Sequence, residues 1–227
     1  MENEIILIDK PKGITSFGVV ARVRRVLLER VGKKVKVGHT GTLDPFATGL
    51  LILMAGKATK RCSEFMKLDK EYEAEIRLGE TSTTGDPEGI VQKSYTGEAP
   101  DFETVKKVVQ SFQGEIEQRV PAFSAVKVNG RRAYDLARKG IKVEMPVRKV
   151  KIYEIEILEY SWPVLKIRAK VSSGTYMRTL GEDIGEKLGT GAYLTGLRRT
   201  KIADYRVEDA IQLEAFLNSP FEQNKSC

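Results

Sequence analysis

The chain has 227 residues, with 38 Lys and Arg against 31 Asp and Glu and a formal net charge of +7. That length holds one substantial domain or two small ones, and 41% hydrophobic with 30% charged residues is an ordinary globular composition, neither fibrous nor disordered. Two cysteines and a single histidine argue against a disulfide framework, a cysteine-rich zinc site or a catalytic zinc, and His39 alone leaves a Ser-His-Asp hydrolase formally open.

The start, "MENEIILIDKPKG", is acidic at position 2 and lacks the basic region and longer apolar run of a signal peptide. No apolar run approaches the ~20 residues that span a bilayer. A cytoplasmic protein is expected. "EIILIDKP" reads as a short strand closed by Pro11 and Gly13, and "TSFGVVARVRRVLLERVG" as an amphipathic helix with Thr15 or Ser16 as N-cap and Gly32 beyond its end. Its valines and Leu27 recur at helical spacing, which leaves Arg22, Arg25 and Arg30 on other faces.

"GLLILMAG" reads as a buried strand, "ATKRCSEFMKL" as a short helix and "KEYEAEIRLG" as an alternating, half-buried strand. "TSTTGDPEGI" is a loop by its turn residues. "DFETVKKVVQSFQG" is a helix capped by Asp101, and "NGRRAYDLARKG" a turn and short helix. "RKVKIYEIEILEY" and "VLKIRAKVSS", separated by "SWP", predict a pair of long antiparallel strands. "TYMRTLGEDIGEKLG" and "VEDAIQLEAFL" read as the last two helices, and "NSPFEQNKSC" as a frayed tail. Strands and helices mix without regular alternation, so the expected class is α+β around a mixed or antiparallel sheet flanked by helices.

The basic charge is clustered. Residues 21–36 carry seven Lys and Arg against one Glu, among them Arg22, Arg25 and Lys33, and "RRTK" adds Arg198 and Arg199. Each cluster is either a solvated face or a set of phosphate contacts; two of them together favour a nucleic-acid partner. Two glycine-rich segments fail as nucleotide loops: "GLLILMAGKAT" has Leu51 and Ala58 where glycine and a hydroxyl residue are needed, and "GTGAYL" lacks a third glycine. Asp44, in "GHTGTLDPFATG", is either the cap of an Asp-Pro turn or a reactive acid. Tyr176 and Arg178, in "SSGTYMRTLG", stand at a helix entrance, where a guanidinium could reach a carboxylate or simply face solvent.

Taken together, "GHTGTLDPFATGLL", "KEYEAEIRLG", "TGDPEG", "VPAFSAVKVNGRRAYDLARKG" and "SSGTYMRTL", in this order and at these separations, strongly resemble the TruB family of tRNA pseudouridine synthases. The resemblance runs from "DKPKGITS" to "LRRTKIADYRVEDA". It implies a pseudouridine synthase fold with a curved mixed sheet, and isomerisation of uridine 55 in the T arm of tRNA. By this resemblance Asp44 is the catalytic aspartate, Tyr72 stacks on the flipped base and Arg178 pairs with Asp44; His39 fills space near the displaced nucleotide, and Lys60, Tyr176 and Leu197 line the pocket.

It implies no metal or organic cofactor. A catalytic domain over 1–217 and a tail over 218–227 are expected, acting as a monomer. Bacterial relatives usually continue into a small C-terminal RNA-binding domain of the PUA type, so a weaker hold on the acceptor side of tRNA is expected here. Tyr193 stands where the family often has His, and Ala122 where a second proline is common.

The chemistry fits these residues. A base inside folded RNA must be turned out before its glycosidic bond is accessible, which calls for an aromatic platform such as Tyr72. An ionised carboxylate must then attack the sugar or take its proton, and an arginine keeps a buried carboxylate charged. A non-catalytic tRNA-binding or tRNA-folding protein would share the fold but would have no use for a carboxylate turned toward RNA; an isomerase for another structured RNA would share the site.

Overall fold

The computed structural model describes residues 4–219 apart from 125, 129 and 142. In chain order its elements are β1 (Ile5–Lys10), α1 (Ser16–Val31), β2 (Val37–His39), β3 (Thr48–Ala55), a 3-10 turn (Gly56–Arg61) running into α2 (Cys62–Met66), β4 (Lys70–Leu78), β5 (Glu80–Ser82) and β6 (Val91–Lys93). There follow α3 (Phe102–Gln110), β7 (Gly114–Arg119), β8 (Lys127–Val128), β9 (Arg131–Arg132), α4 (Ala133–Arg138), β10 (Val147–Ser161) and β11 (Val164–Val171). The last elements are α5 (Met177–Lys187), β12 (Ala192–Ile202), β13 (Tyr205–Arg206), a second 3-10 turn (Val207–Asp209), β14 (Ile211–Gln212) and α6 (Leu213–Asn218). This is an α+β chain, and it divides into two compact units: residues 1–68 with 198–227, and residues 69–197.

In the first unit β1 is antiparallel to β3 and parallel to β14, while the end of β12 runs parallel to β3. The sheet is therefore mixed. β3 is apolar throughout because both of its faces are covered, as continuous apolar strands usually are. Leu51, Leu53 and Ala55 join Ile6 and Ile8 beneath Val19, Val20, Val23 and Leu27 of α1. Leu50, Ile52 and Met54 face the other way, onto Phe65, Ile202 and Val207. Burying each α1 side chain is worth about 1.5–3 kcal/mol, which outweighs the helix's weak intrinsic preference at its valines.

Thr15 caps α1 by accepting from the Gly18 amide, and Gly32 closes it at φ 73°, both as the sequence predicts. Arg30 leaves the solvated face: it lies over the Phe216 ring and donates to the Phe216 and Ser219 carbonyls, fastening α6 to α1.

The second unit is an antiparallel sheet in the order β12, β4, β11, β10, β7, with α3 and α5 packed on it. Tyr72, Ala74 and Ile76 of β4 and Leu165, Ile167 and Ala169 of β11 point inward. Outward, Lys166, Arg168 and Lys170 of β11 each stand between glutamates of the neighbouring strands: Glu75 and Glu159, Glu73 and Glu156, Glu71 and Glu154. Arg168 makes the best pairs, at 2.7 Å to Glu73 and 2.8 Å to Glu156. A bulge between Ile157 and Glu159 brings Glu156 and Glu159 onto the same face. These half-exposed pairs add only tenths of a kcal/mol each, about 0.2–1.

Three sequence expectations change. "VEDAIQLEAFL" is not one helix: Ile211 and Gln212 pair with Ile8 and Asp9 as a strand, and helix begins only at Leu213. "GAYLTGLRRTKI", assigned no element from its pattern, is the strand β12. The ends of the "TSTTGDPEGI" loop pair as the β5–β6 hairpin. Of the expected tail, residues 220–227 lie outside the described residues.

β12 approaches β3 where Gly49 faces Arg199, and a Cβ on Gly49 would collide with the Arg199 backbone. Gly49 also sits at φ 101°, where a side chain is strained. Gly49→Ala is expected to destabilise the fold by about 2–3 kcal/mol, read from the urea unfolding midpoint; an unchanged midpoint would mean that the two strands are free to separate.

Candidate active site

Asp44 follows β2 in a loop of the first unit, and its half-buried side chain is carried by a backbone held from several directions. Ser16, the first residue of α1 and 2% exposed, donates through Oγ to the Leu43 carbonyl at 2.9 Å and accepts from the Leu43 amide at 2.8 Å. One hydroxyl thus satisfies both backbone groups of the residue before Asp44. On the other side, the Pro45 carbonyl accepts from the Gly13 amide at 2.8 Å and from Nζ of the fully buried Lys10 at 3.4 Å. Lys10 also donates to the Pro11 and Ile14 carbonyls, so it ties the β1–α1 turn to the loop.

Arg199 completes the fastening. It is 1% exposed, and its guanidinium donates to the carbonyls of Leu50 at 2.8 Å, Gly41 at 3.1 Å and Thr42 at 3.5 Å. This corrects the expectation that Arg199 binds RNA. Its charge is spent on carbonyls inside the fold, where it spans β3 and the start of the loop. Arg198, beside it, is a partly exposed residue in a two-pronged pair with Asp9, at 3.1 and 2.8 Å, and Asp9 also accepts from Gln212. Arg198 keeps part of its surface for solvent but serves first to hold β12 near β1.

His39 ends β2 opposite Leu53, and its Nδ1 accepts from the Gly41 amide at 3.4 Å. Burial holds its imidazole below the ordinary 6.5, and the charge of Arg199 pushes the same way, so it is neutral at pH 7. A neutral, half-buried ring at the foot of the loop is a shape element more than a charged ligand. Lys60 is exposed on the first 3-10 turn, and Arg22, Arg25 and Lys33 are exposed on or just beyond α1, with Arg25 paired to Glu29 at 3.1 Å.

In the second unit Arg178 lies in the first turn of α5, 5% exposed. It donates to the Thr84 carbonyl at 2.9 Å, to Oδ2 of Asp86 at 3.2 Å and to the Phe123 carbonyl at 2.7 Å. Asp86, 3% exposed, is held in turn by the Thr84 hydroxyl at 2.6 Å and the Glu88 amide at 3.0 Å. The "TGDPEG" turn is therefore wound around a carboxylate that faces Arg178. Tyr176 opens α5, and Gln118 binds it as a second backbone would, accepting from its amide at 2.8 Å and donating to its carbonyl at 3.1 Å.

Tyr72 is buried on β4 opposite Ala169, Leu197 is half-buried on β12, and Tyr193 is buried in the same strand. Asp44 belongs to the first unit; Tyr72, Tyr176 and Arg178 belong to the second.

A family model described as "TruB family pseudouridylate synthase (N terminal domain)" matches residues 25–177. The chain belongs to the TruB family. A second model, "tRNA pseudouridylate synthase B C-terminal domain", matches residues 178–226 of this TruB-family chain. The tRNA pseudouridine synthase B of Phocaeicola vulgatus is 50% identical over 216 residues, covering 95% of this chain and 92% of its own. That of Aquifex aeolicus is 47% identical over 216 residues, covering 94% and 73%.

Among solved structures, a Cbf5-Nop10-Gar1 complex matches with a TM-score of 0.73 at 32% identity over 95% of this chain. An H/ACA RNP bound to a substrate RNA containing 2′-deoxyuridine matches with a TM-score of 0.69 at 30% identity. The TruB-family chain spans about half the length of those two chains, 54% and 52%.

Reading the TruB motifs as sequence missed the residues that position the site: Ser16, Lys10, Asp86 and Gln118. Their signal is faint. A serine opening a helix and an aspartate in a Gly-Asp-Pro turn both have ready local explanations as caps, and only the fold brings them to Leu43 and Arg178.

The Arg178 surroundings also set a pH dependence. Burial pushes the Glu182 carboxyl, one turn beyond Arg178, up to about 7; the Arg178 charge opposes this, while Asp183 and Asp86 add to it. Burial likewise raises Asp183 to about 6. A carboxyl whose folded value lies above its unfolded one binds its proton more tightly in the native state, so stability falls as pH rises from about 4.5 to about 7. Glu182→Gln should match the parent's melting temperature below pH 4.5 and exceed it by a few degrees at pH 8. A parallel pair of melting curves across that range would show Glu182 to be as well solvated folded as unfolded.

Proposed function

We propose that the chain isomerises uridine 55 in the T arm of tRNA to pseudouridine, with Asp44 as the acid that starts the reaction. The observation that carries this reading is the loop around Asp44, whose backbone is fixed on both sides by Ser16, Lys10 and Arg199. A reacting carboxylate needs such placement, because a misplacement of about 1 Å costs on the order of 100-fold in rate. The name tRNA pseudouridine synthase B, carried by relatives about half identical over nearly the whole chain, supplies the reaction class and substrate.

In this reading the target nucleotide leaves the RNA stack, and its base rests against Tyr72. The Asp44 carboxylate attacks the sugar or removes a sugar proton, and the C1′–N1 bond breaks. The freed uracil turns and rejoins C1′ through C5, which releases the Asp44 carboxylate from the sugar or follows return of the sugar proton it took; the C5 proton is lost and N1 gains one, so the product is an isomer and Asp44 is regenerated. Arg178 keeps the local charge balanced during these steps, and the fixed Asp86 keeps Arg178 in place. No redox step and no external group donor are needed. The enzyme is read as a cytoplasmic monomer whose partner is tRNA; among the described residues no helix is long and apolar enough to cross a membrane.

The exposed bases of α1 supply part of the hold on the RNA backbone. Replacing Arg22, Arg25 and Lys33 together by Gln should weaken T-arm binding and reduce the slope of log affinity against log salt by about 2–3, with the single-turnover rate at saturating enzyme nearly unchanged. A slope equal to the parent's would leave these residues as a solvated face.

Asp44→Asn tests the chemistry. An aspartate serving only as a turn cap tolerates this change at a cost of up to about 1 kcal/mol. A nucleophile or base does not. The variant should bind an unmodified T-arm hairpin as well as the parent, since a charge that repels phosphate is gone, while site mapping detects no pseudouridine. Retention of about a tenth of the parent rate in a normally folded variant would remove Asp44 from the catalytic role.

A further inference from the structure

Phe17 is 66% exposed, more than any other phenylalanine among the described residues, and it stands in the first turn of α1 beside Ser16, which fastens the Asp44 loop. It has no evident task in the fold. The apolar residue that braces the entry of α1 is Ile14, which precedes the Thr15 cap and packs against the cluster holding Val19, as a hydrophobic staple does. Phe17 is left with its ring in solvent, although covering a ring is among the larger single gains open to a fold.

One exposed apolar side chain is ordinary on any protein surface; what sets Phe17 apart is its company. The Arg24 guanidinium, two turns further along α1, lies over the ring at 5.9 Å and has no carboxylate partner among the described residues. Lys12 is exposed just before the helix, and its neighbour Gly13 donates to the Pro45 carbonyl at 2.8 Å. Arg22 and Arg25 are exposed on the same helix, whose only acid, Glu29, is already held by Arg25. Leu28, the other exposed large apolar residue of α1, stands about 16 Å along the axis with Arg24 between, so no continuous apolar patch offers itself to a protein. An isolated aromatic face among unneutralised bases suits a nucleic-acid strand, with phosphates on the cations and a base on the ring.

The Ser16–Leu43 bond limits how far this face lies from the acid: Cα of Phe17 is no more than about 12 Å from Cα of Asp44. An RNA strand that presents a nucleotide to Asp44 therefore passes close to the ring. We propose that Phe17 is an RNA-binding residue whose exposed ring stacks on an unpaired base near the nucleotide that Asp44 acts on, with Arg24 and Lys12 toward the adjoining phosphates. The inference rests on the functional reading above and adds to it a base-stacking contact in the first unit. Turning one nucleotide out of a loop costs its neighbours their stacking. The ring of Phe17 replaces part of that loss, and it favours loops with unpaired bases over duplex.

The test uses Phe17→Ala, Phe17→Leu and Phe17→Trp in the full chain. The probes are an unmodified T-arm hairpin and the same hairpin made abasic at one unpaired loop position at a time, with affinity read by fluorescence anisotropy and folding by thermal midpoint. Phe17→Ala is expected to bind the intact hairpin about tenfold more weakly at an unchanged melting temperature, Phe17→Leu to match it, and Phe17→Trp to stay within about twofold of the parent. On the hairpin that lacks the stacked base, parent and Phe17→Ala are expected to bind alike. Equal affinity of parent and Phe17→Ala for the intact hairpin overturns the proposal, and so does full affinity in Phe17→Leu, which makes the contact hydrophobic rather than a stack. A loss that persists on every abasic hairpin overturns it as well, as does a lowered melting temperature in Phe17→Ala, since the ring is then serving the fold. A dimeric parent that Phe17→Ala converts to a monomer in sedimentation velocity assigns the face to a second copy and overturns it too. A parent that binds the hairpin but forms no pseudouridine sinks the functional reading, whereas an active parent with Phe17→Ala of equal affinity sinks this inference alone.

Discussion

The backbone next to Asp44 is held by the Ser16 hydroxyl, which makes two hydrogen bonds to one residue 27 positions away in the chain. Those bonds tie the helix carrying the basic residues to the loop carrying the acid, and the rest of the first unit is arranged to keep them in register. α1 is fixed by four apolar side chains against a sheet whose central strand is buried on both faces, so its first turn has little freedom to drift. Lys10 and Arg199 contribute from the opposite side. Burying two cations is costly, and it is tolerated here because their donors are matched to carbonyl oxygens that the loop would otherwise leave unsatisfied.

The second unit solves a similar problem with a different device. Arg178 sits in the first turn of a helix whose entry is fixed by Gln118, and the Thr84 carbonyl, Asp86 carboxylate and Phe123 carbonyl that accept from it come from two separate segments, the "TGDPEG" turn and the stretch that contains Phe123. A guanidinium is suited to this because its donors are planar and fixed relative to one another, so holding two or three acceptors also fixes its orientation. The raised carboxyl of Glu182 belongs to the same arrangement: burial is the main cause, and the charges of Asp183 and of Asp86, which already faces the arginine, add to it.

Much of this was legible in the amino-acid order. The alternation of β4, the Thr15 and Gly32 ends of α1 and the paired strands β10 and β11 follow from local rules that tertiary structure did not override. Asp44, Tyr72 and Arg178 were singled out through motif resemblance alone, since a single Asp-Pro or Tyr in a strand has no distinguishing local signal. Arg199 was misread because two adjacent arginines look alike in sequence. Only the parallel pairing of β12 with β3 turns one into the interior and leaves the other at the surface. Strand β14 was hidden for a related reason: Ile211 and Gln212 have no strand pattern of their own and become a strand because Ile8 and Asp9 offer an edge.

The ladder of charges on the outer side of β4, β11 and β10 bears on how RNA arrives. Six glutamates there stand among Lys166, Arg168 and Lys170 of β11, and Arg77 of β4 with Lys149 and Lys151 of β10 lie on the same side, so the two signs balance across these three strands. A polyanion meeting this sheet finds opposite charges alternating a few ångströms apart, with no sustained field to hold it. Pairs that add little to folding free energy thus keep the cations of this sheet occupied by carboxylates and so unavailable as nonspecific phosphate contacts, an effect that weakens as salt screens the pairs.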